Sequence, residues 1–494
     1  MKYKSGGRRC AIRIVGVTAL ALILLAGSAG AAPSEEWNKT FGGSGDDIAY
    51  SVQQTSDGGY VVAGYTNSYG AGDDDACLIK TDGNGNEVWN RTFGGSSFDR
   101  ALSVQQTSDG GFVLSGETYS YGGEGYNAWI IKTDANGSEQ WNRTLKGRHA
   151  SSIQQTSDSG YIITGGSSFS LSGPPFTIWL VKTDENGNEL WNRTFESGKG
   201  DFVNSVRQTS YGGYIVAGGY YSYWGTAAWI IKTDTYGNQQ WSKTFLGKGC
   251  PEAPVPPAKP VPPVKGSTMA NAIQQTLDGG YIIAGYIEVY SNCNGEVLLR
   301  DSEVLLIKTD ENGNEQWNKT FGGDYEDKAS SAWQVTDGGY IISGSKCLIK
   351  AEQCNEWLGN KCISGVVRCD AWLIKTDANG NEQWNKTFEG IERETFTSIQ
   401  QTRDGGYIIA GTTNSYGSGG RDAWLIKVDG ASIEIAEAPT GSPTETLAAN
   451  PTQALTTVPT GTNTVKSFEK AAGFEVVLAI AILLAVYIAG RKMK

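Results

Sequence analysis

Residues 371–388 read A-W-L-I-K-T-D-A-N-G-N-E-Q-W-N-K-T-F, and residues 400–411 read Q-Q-T-R-D-G-G-Y-I-I-A-G. Variants of this pair run through most of the chain. The tryptophan of W-N-x-T-F recurs at Trp37, Trp89, Trp141, Trp191, Trp241, Trp317 and Trp384. The spacing is about 50 residues, with two longer steps in the second half. Short apolar stretches on such a period indicate a repeat architecture. Most of the chain is then scaffold, and function is expected where the repeats differ.

Residues 46–93 show the unit. Asp47–Thr55 reads as a strand, Ser56-Asp57-Gly58-Gly59 as a tight turn, and Tyr60–Tyr65 as a second strand. A Ser/Tyr/Gly/Asp loop leads to a third strand, Ala76–Thr81. The Asn-Gly turn that follows favours a hairpin into a fourth, Glu87–Phe93. Four short strands per repeat predict an all-β fold, a β-propeller of four-stranded antiparallel blades. There are seven sets of the first three strands, but the fourth strands are out of phase. The chain opens with a lone fourth strand, Glu36–Phe41, and the last unit stops at Trp424–Val428. Seven blades are expected over 36–429, with the N-terminal strand completing the last blade and removing an exposed edge. The fourth-strand tryptophans, and Trp129, Trp179, Trp229, Trp372 and Trp424 on third strands, read as packing between blades. Cys77 and Leu305 replace the other two third-strand tryptophans, and Cys77 is expected to be a buried free thiol.

The two ends differ in composition from the repeats. Residues 1–31 combine Lys2, Lys4, Arg8, Arg9 and Arg13 with an apolar Ile14–Ala26 and an Ala29-Gly30-Ala31 cleavage signature, which is a secretory signal. Residues 431–468 are rich in Thr, Pro and Ala and read as an extended stalk. Residues 473–494 hold an apolar Val476–Ala489 followed by Arg491, Lys492 and Lys494, a C-terminal membrane segment. The basic end would stay cytoplasmic and leave the propeller on the cell surface.

The terminal A-A-G-F-E-V-V-L-A-I-A-I-L-L-A-V-Y-I-A-G-R-K-M-K resembles the archaeal Pro-Gly-Phe sorting tail. Gly473 and Phe474 match that motif, and Ala472 stands where the family has Pro. The resemblance implies cleavage by an archaeosortase and attachment to a membrane lipid. The repeats over 36–429 resemble those of secreted surface propellers of methanogenic archaea, a resemblance that implies no particular activity.

An outside location sets the reading of several residues. Sequons fall at Asn38, Asn90, Asn136, Asn142, Asn192, Asn318 and Asn385, making these the candidate glycosylation sites. Cys347, Cys354, Cys362 and Cys369 share one insertion, and two disulfides are expected there; Cys250 and Cys293 are a further candidate pair. The net charge of −11 and the single His149 argue against nucleic acid as a partner.

Three insertions break the period: 247–264, which is polyproline-like, 287–303, and 345–370 with its four cysteines. The first joins a fourth strand to a first strand, and the others join second to third strands. In an antiparallel blade both kinds of connection emerge on one face, so all three insertions should crowd one rim. Loops on a rigid scaffold are where binding sites usually lie. That face also carries Tyr69, Tyr121, Tyr223, Tyr290 and Tyr416, with Asp46, Asp47, Asp99 and Asp324 in the neighbouring connections. Aromatic rings with carboxylates suit a carbohydrate, and calcium is the cation such a face would take. The competing reading is that the rings pack between blades and the acids are solvated. The D-x-N-G-N turns resemble a calcium loop in spacing but lack its later glycine and bidentate glutamate, so they read as hairpin turns and no metal is expected there.

Three function classes follow. An extracellular binding or adhesion propeller, recognising a carbohydrate or a protein, accounts for the signal, stalk, anchor and one-sided insertions. A structural envelope protein is the first alternative. The second is an enzyme, because K-T-D-x-x-G-x-x-x-W resembles the blade repeat of pyrroloquinoline-quinone dehydrogenases. That family has eight blades and an adjacent cysteine pair, both absent here. No residues assemble a catalytic constellation, and no cofactor is expected.

Overall fold

The computed structural model describes residues 32–430, apart from 124, 147, 168–176, 198–199, 223–224, 248–266, 291–299, 324 and 359–360. The signal, stalk and C-terminal segment lie outside the described residues. Every element among those described is a β-strand, and the strands form seven four-stranded sheets. Blade 1 comprises β2 (Asp47–Gln54), β3 (Tyr60–Thr66), β4 (Asp75–Thr81) and β5 (Glu87–Phe93), within a residue or so of the expected bounds. All pairings in the seven sheets are antiparallel. The seventh blade takes β26 (Glu394–Gln401), β27 (Tyr407–Thr413) and β28 (Asp422–Val428) from the end of the repeats and β1 (Glu35–Phe41) from their start. There β1 pairs with β28, giving the order β1-β28-β27-β26. Ala49 and Val52 of blade 1 share a buried cluster with Ile408 and Leu425 of blade 7.

The repeated residues make the joints between blades. Trp37 of blade 7 lies 5.7 Å, ring to ring, from Tyr60 of blade 1, and Trp141 of blade 2 lies 5.9 Å from Tyr161 of blade 3. Such tilted and edge-on aromatic pairs contribute roughly 0.5–1.5 kcal/mol each beyond the area they bury. The glycine of the turn before the fourth strand keeps the joint with the preceding blade close. Gly85 has φ +75°, and a Cβ there would meet the Trp37 ring at 2.5 Å. The tryptophans are packing residues, as their fixed positions suggested.

The Q-Q-T motif ends the innermost strand of the blade and stitches the ring on its inside. Gln106 Oε1 of blade 2 accepts the Ser56 N–H of blade 1 at 2.7 Å. The same bond recurs at all seven joints and ends with Gln54 Oε1 accepting the Arg403 N–H of blade 7 at 3.0 Å.

Two of the three insertions extend strands, which the sequence did not suggest; the first, 247–264, lies outside the described residues but for Gly247. In blade 6, β23 (Tyr340–Leu358) and β24 (Lys361–Thr376) run 19 and 16 residues, so 345–370 is a two-stranded arm continuing the blade. Cys347 faces Cys369 across this ladder, and they form a disulfide. Cys354 and Cys362 are described only in their backbone, and Cys250 and Cys293 lie outside the described residues. Blade 5 extends likewise through β19 (Tyr281–Tyr290) and β20 (Arg300–Thr309). Blade 4 does so to a smaller degree, its second and third strands pairing out to Ser222 and Gly225.

Candidate functional site

The two faces differ in what their polar groups do. On the face of the D-G-G and N-G turns, carboxylates are consumed locally. Asp82 Oδ1 accepts the N–H groups of Asn84 and Asn86 at 2.9 and 2.8 Å, and Oδ2 accepts from the Asn86 amide at 3.0 Å. The D-x-N-G-N segments are therefore turns. The aspartate of the D-G-G turn meets the lysine of the third strand, as in Asp109–Lys132 at 2.8 Å. Six blades have this pair.

On the opposite face the fourth-to-first and second-to-third connections bond to each other, so they do share one side. The Asn67 N–H donates to Asp46 O at 2.8 Å, Tyr119 N–H to Phe98 O at 2.9 Å, and Glu288 N–H to Ser267 O at 2.7 Å. Buried acids at the start of the first strand hold these loops. Asp99 is fully buried, accepting from the Gly95 N–H at 2.8 Å, the Ser120 hydroxyl at 2.6 Å and the Thr118 hydroxyl. Its oxygens are taken, and it positions loops. Asp327 occupies the same place in blade 6. It accepts the Cys347 N–H at 2.8 Å and so ties down the base of the disulfide arm; burial pushes its carboxyl up to about 6. Asp46, nearer the surface, pairs with Arg421 at 2.8 Å, and that hydrogen bond holds its carboxyl below the usual range.

The tyrosines bridge blades. Tyr69, Tyr121 and Tyr416 donate their hydroxyls to Gly42 O, Gly94 O and Glu389 O at 3.2, 2.7 and 2.8 Å, each in the connection arriving from the preceding blade. Tyr121 and Tyr416 rest on their blade's tryptophan, with centroids 5.5 Å from Trp129 and 5.7 Å from Trp424. Tyr69 has the thiol of Cys77 there instead, and its exposure rises to 61%, against 42% for Tyr121 and 48% for Tyr416. Tyr223 and Asp324 lie outside the described residues, as does the side chain of Tyr290.

The missing indole leaves a cleft of about 220 Å³ at the seam of blades 7 and 1, lined by Phe41, Gly42, Asp47, Tyr69, Cys77 and Arg91 among others. Cys77 is a buried free thiol; burial pushes it up to about 12, so it stays protonated and serves as an apolar floor. Asp47 accepts from the Gly43 N–H at 2.9 Å and the Ser68 hydroxyl at 2.6 Å through Oδ2. Its Oδ1 is buried and has no hydrogen-bond partner. An orphan carboxylate oxygen is costly and invites a donor. The cleft thus offers an aromatic ring and an apolar floor, with the unpartnered Asp47 oxygen buried beneath its lining. The sequence put Tyr69 and Asp47 on this face without setting either apart from its counterparts in other blades. The signal that could have done so was the exchange of Trp for Cys77, which makes the void.

No cluster of three or more metal-ligating side chains occurs among the described residues. His149 is half-buried, and that desolvation holds its imidazole toward the neutral form.

No protein-family model matches the chain, and no curated protein matches it. Among solved structures it is similar to Sqt1 from Chaetomium thermophilum, with 9% identity and a TM-score of 0.42 over 81% of this chain and all of that one. It is also similar to YCF48 bound to D1 peptide, with 11% identity and a TM-score of 0.41 over 80% of this chain and 99% of that one.

Proposed function

We propose that this is an extracellular binding propeller, presented at the cell surface, that recognises carbohydrate through the face bearing the insertions. The observation that carries the reading is the contrast between faces. One is finished by near-identical turns whose carboxylates are internally satisfied. The other carries extended hairpins on blades 4, 5 and 6 and an open seam cleft beside the exposed Tyr69 ring. A sugar supplies a C–H face for the Tyr69 ring and hydroxyls for the polar side chains that line the cleft, Asn90 and Arg91 among them. The hairpin wall gives a longer glycan, or the protein that carries it, a surface to lie against. The apolar start, the stalk-like composition and the sorting-type tail support surface presentation, and the Cys347–Cys369 disulfide suits an oxidising compartment. The sorting-type tail supports anchoring that passes to a membrane lipid after cleavage of the tail.

The test is a glycan array probed with the wild-type chain, Cys77→Trp and a variant in which 345–370 is a short loop. Cys77→Trp restores the repeat's own residue and fills the cleft, so it should fold and lose binding to short glycans. Loss of the arm should weaken binding of longer ones. Glycan binding untouched by Cys77→Trp would show that the seam is not the site. Absence of glycan binding by the wild type would favour a structural role in the envelope.

A further inference from the structure

The propeller axis holds a second cavity, distinct from the seam, of about 310 Å³. It is lined by the inner strands near their D-G-G ends. Five blades present the first glutamine of Q-Q-T to it: Gln53, Gln105, Gln154, Gln274 and Gln400. Each of these amides accepts a backbone N–H of the following blade through Oε1, at 2.6 to 2.8 Å. With the oxygen engaged, the group each amide has left to offer is its NH₂, a double donor. Ser51, Ser103 and Ser398, one turn of the pleat away, accept N–H groups through Oγ at 3.2 to 3.4 Å, which leaves their hydroxyl hydrogens to donate.

The ring of glutamines is broken at two blades, and the two replacements meet. Blade 4 has Arg207 and blade 6 has Trp333, and the guanidinium lies over the indole, 5.9 Å from its centroid. Arg207 is the one charged side chain lining the cavity. Among the described residues it has no carboxylate partner; its hydrogen bond is a long one, Nη1 to Val206 O at 3.4 Å. Burial alone draws its pKa down. A half-buried guanidinium facing the channel without a counter-charge keeps an unmet demand for an anion, and the cation–π contact meets only part of it.

We propose that the central channel is an anion site, in which Arg207, stacked on Trp333, and the ring of glutamine amides bind a small hydroxylated carboxylate of uronate or hydroxy-acid size. The charge pairs with the guanidinium, and the amide and serine donors take the remaining oxygens. The volume is at the lower end of the range for small-molecule sites. The chain's net charge of −11 opposes approach from a distance, but such long-range repulsion is largely screened beyond ~8 Å at physiological salt.

The experiment is titration calorimetry on the full-length chain with glucuronate and with citrate, against glucose as the neutral control. Arg207→Gln restores the residue that five blades already use. Gln274→Glu places a carboxylate in blade 5, between the blades of Arg207 and Trp333, while keeping an acceptor for the Gln334 N–H. Wild type is expected to bind at least one of the carboxylates saturably and to ignore glucose. Arg207→Gln should weaken binding by ~10-fold or more, because a charged partner is lost. Gln274→Glu should abolish it by supplying the counter-ion internally, and it tests the site independently should Arg207→Gln fail to fold. Absence of saturable carboxylate binding, equal binding of glucose, or unchanged binding by either folded variant overturns the proposal.

Discussion

Lys232 sits where six other blades set a lysine against the aspartate of the D-G-G turn. In blade 4 that aspartate is replaced by Tyr211, which is 80% exposed, and Lys232 is left with Thr233 O at 2.8 Å and Gln240 Oε1 at 3.3 Å. Burial draws the Lys232 pKa down. Tyr211→Asp should therefore stabilise the fold by up to ~1 kcal/mol, read as a higher urea midpoint; an unchanged or lower midpoint would show that the lysine is already satisfied. The pairs that do form set the acid limit. Burial alone would raise the carboxyls of Asp57 and Asp109, but a threonine hydroxyl, the lysine ammonium and a glycine N–H outweigh it and hold both at about 2. Their pKa lies below the ordinary 3.8, so their contribution is complete above about pH 4 and is lost as pH falls through 2. Thermal melts should decline steadily across that window, and Asp109→Asn should flatten the decline; an identical slope in the variant would assign it to other groups.

At the scale of elements, the N-terminal strand has the most to test. β1 covers the outer edge of β28 through a ladder from Glu35↔Val428 to Phe41↔Ala423. Lys427 reaches Glu36 at 3.0 Å, and Ser34 bonds Asp429 at both its N–H and its hydroxyl. Deleting 33–41 bares an edge strand and the blade 7 side of the seam cleft. We expect a melting temperature lower by many degrees and concentration-dependent association, both relieved by a synthetic 33–41 peptide; a variant that melts like wild type would show the clasp to be dispensable. The blade 6 arm should behave differently. Its Cys347–Cys369 bridge lies in the extension just beyond the blade core. Replacing both cysteines with serine should speed proteolytic cleavage within the arm while the global melt changes little; a large global shift would make the arm part of the cooperative core.

For the whole molecule, the sequon asparagines of the outermost strands form an equatorial belt. Asn38, Asn90, Asn142, Asn192, Asn318 and Asn385 are all exposed on fourth strands, and each bonds a glutamate three residues before it. Glycans there would cover the rim and leave both faces and the axis open. Mass spectrometry of chain recovered from the cells that make it should find N-glycans on at least one of these sites; an unmodified belt would make the sequons a by-product of the repeat.

The repeat made the blades, their number and the packing tryptophans legible, because strand period, turn residues and aromatic positions are local and recur seven times. The conversion of 345–370 from an expected loop into a strand-paired arm was not legible, since its ladder depends on which residues face each other across the insertion. Asp99 looked like a surface acid; only the fold shows it buried under the loops it organises. Cys77 stood out as a departure from the repeat, while Arg207 and Trp333 drew no notice in it, and a departure by itself says nothing about what surrounds it. Whether a smaller residue leaves a void, and whether two exceptions in blades 4 and 6 touch, is decided when the ring brings distant strands around one axis. The sequence alone thus determined the scaffold, through local pattern. The tertiary structure decided the sites, because a cavity and an unpaired charge are properties of neighbours far apart in the chain.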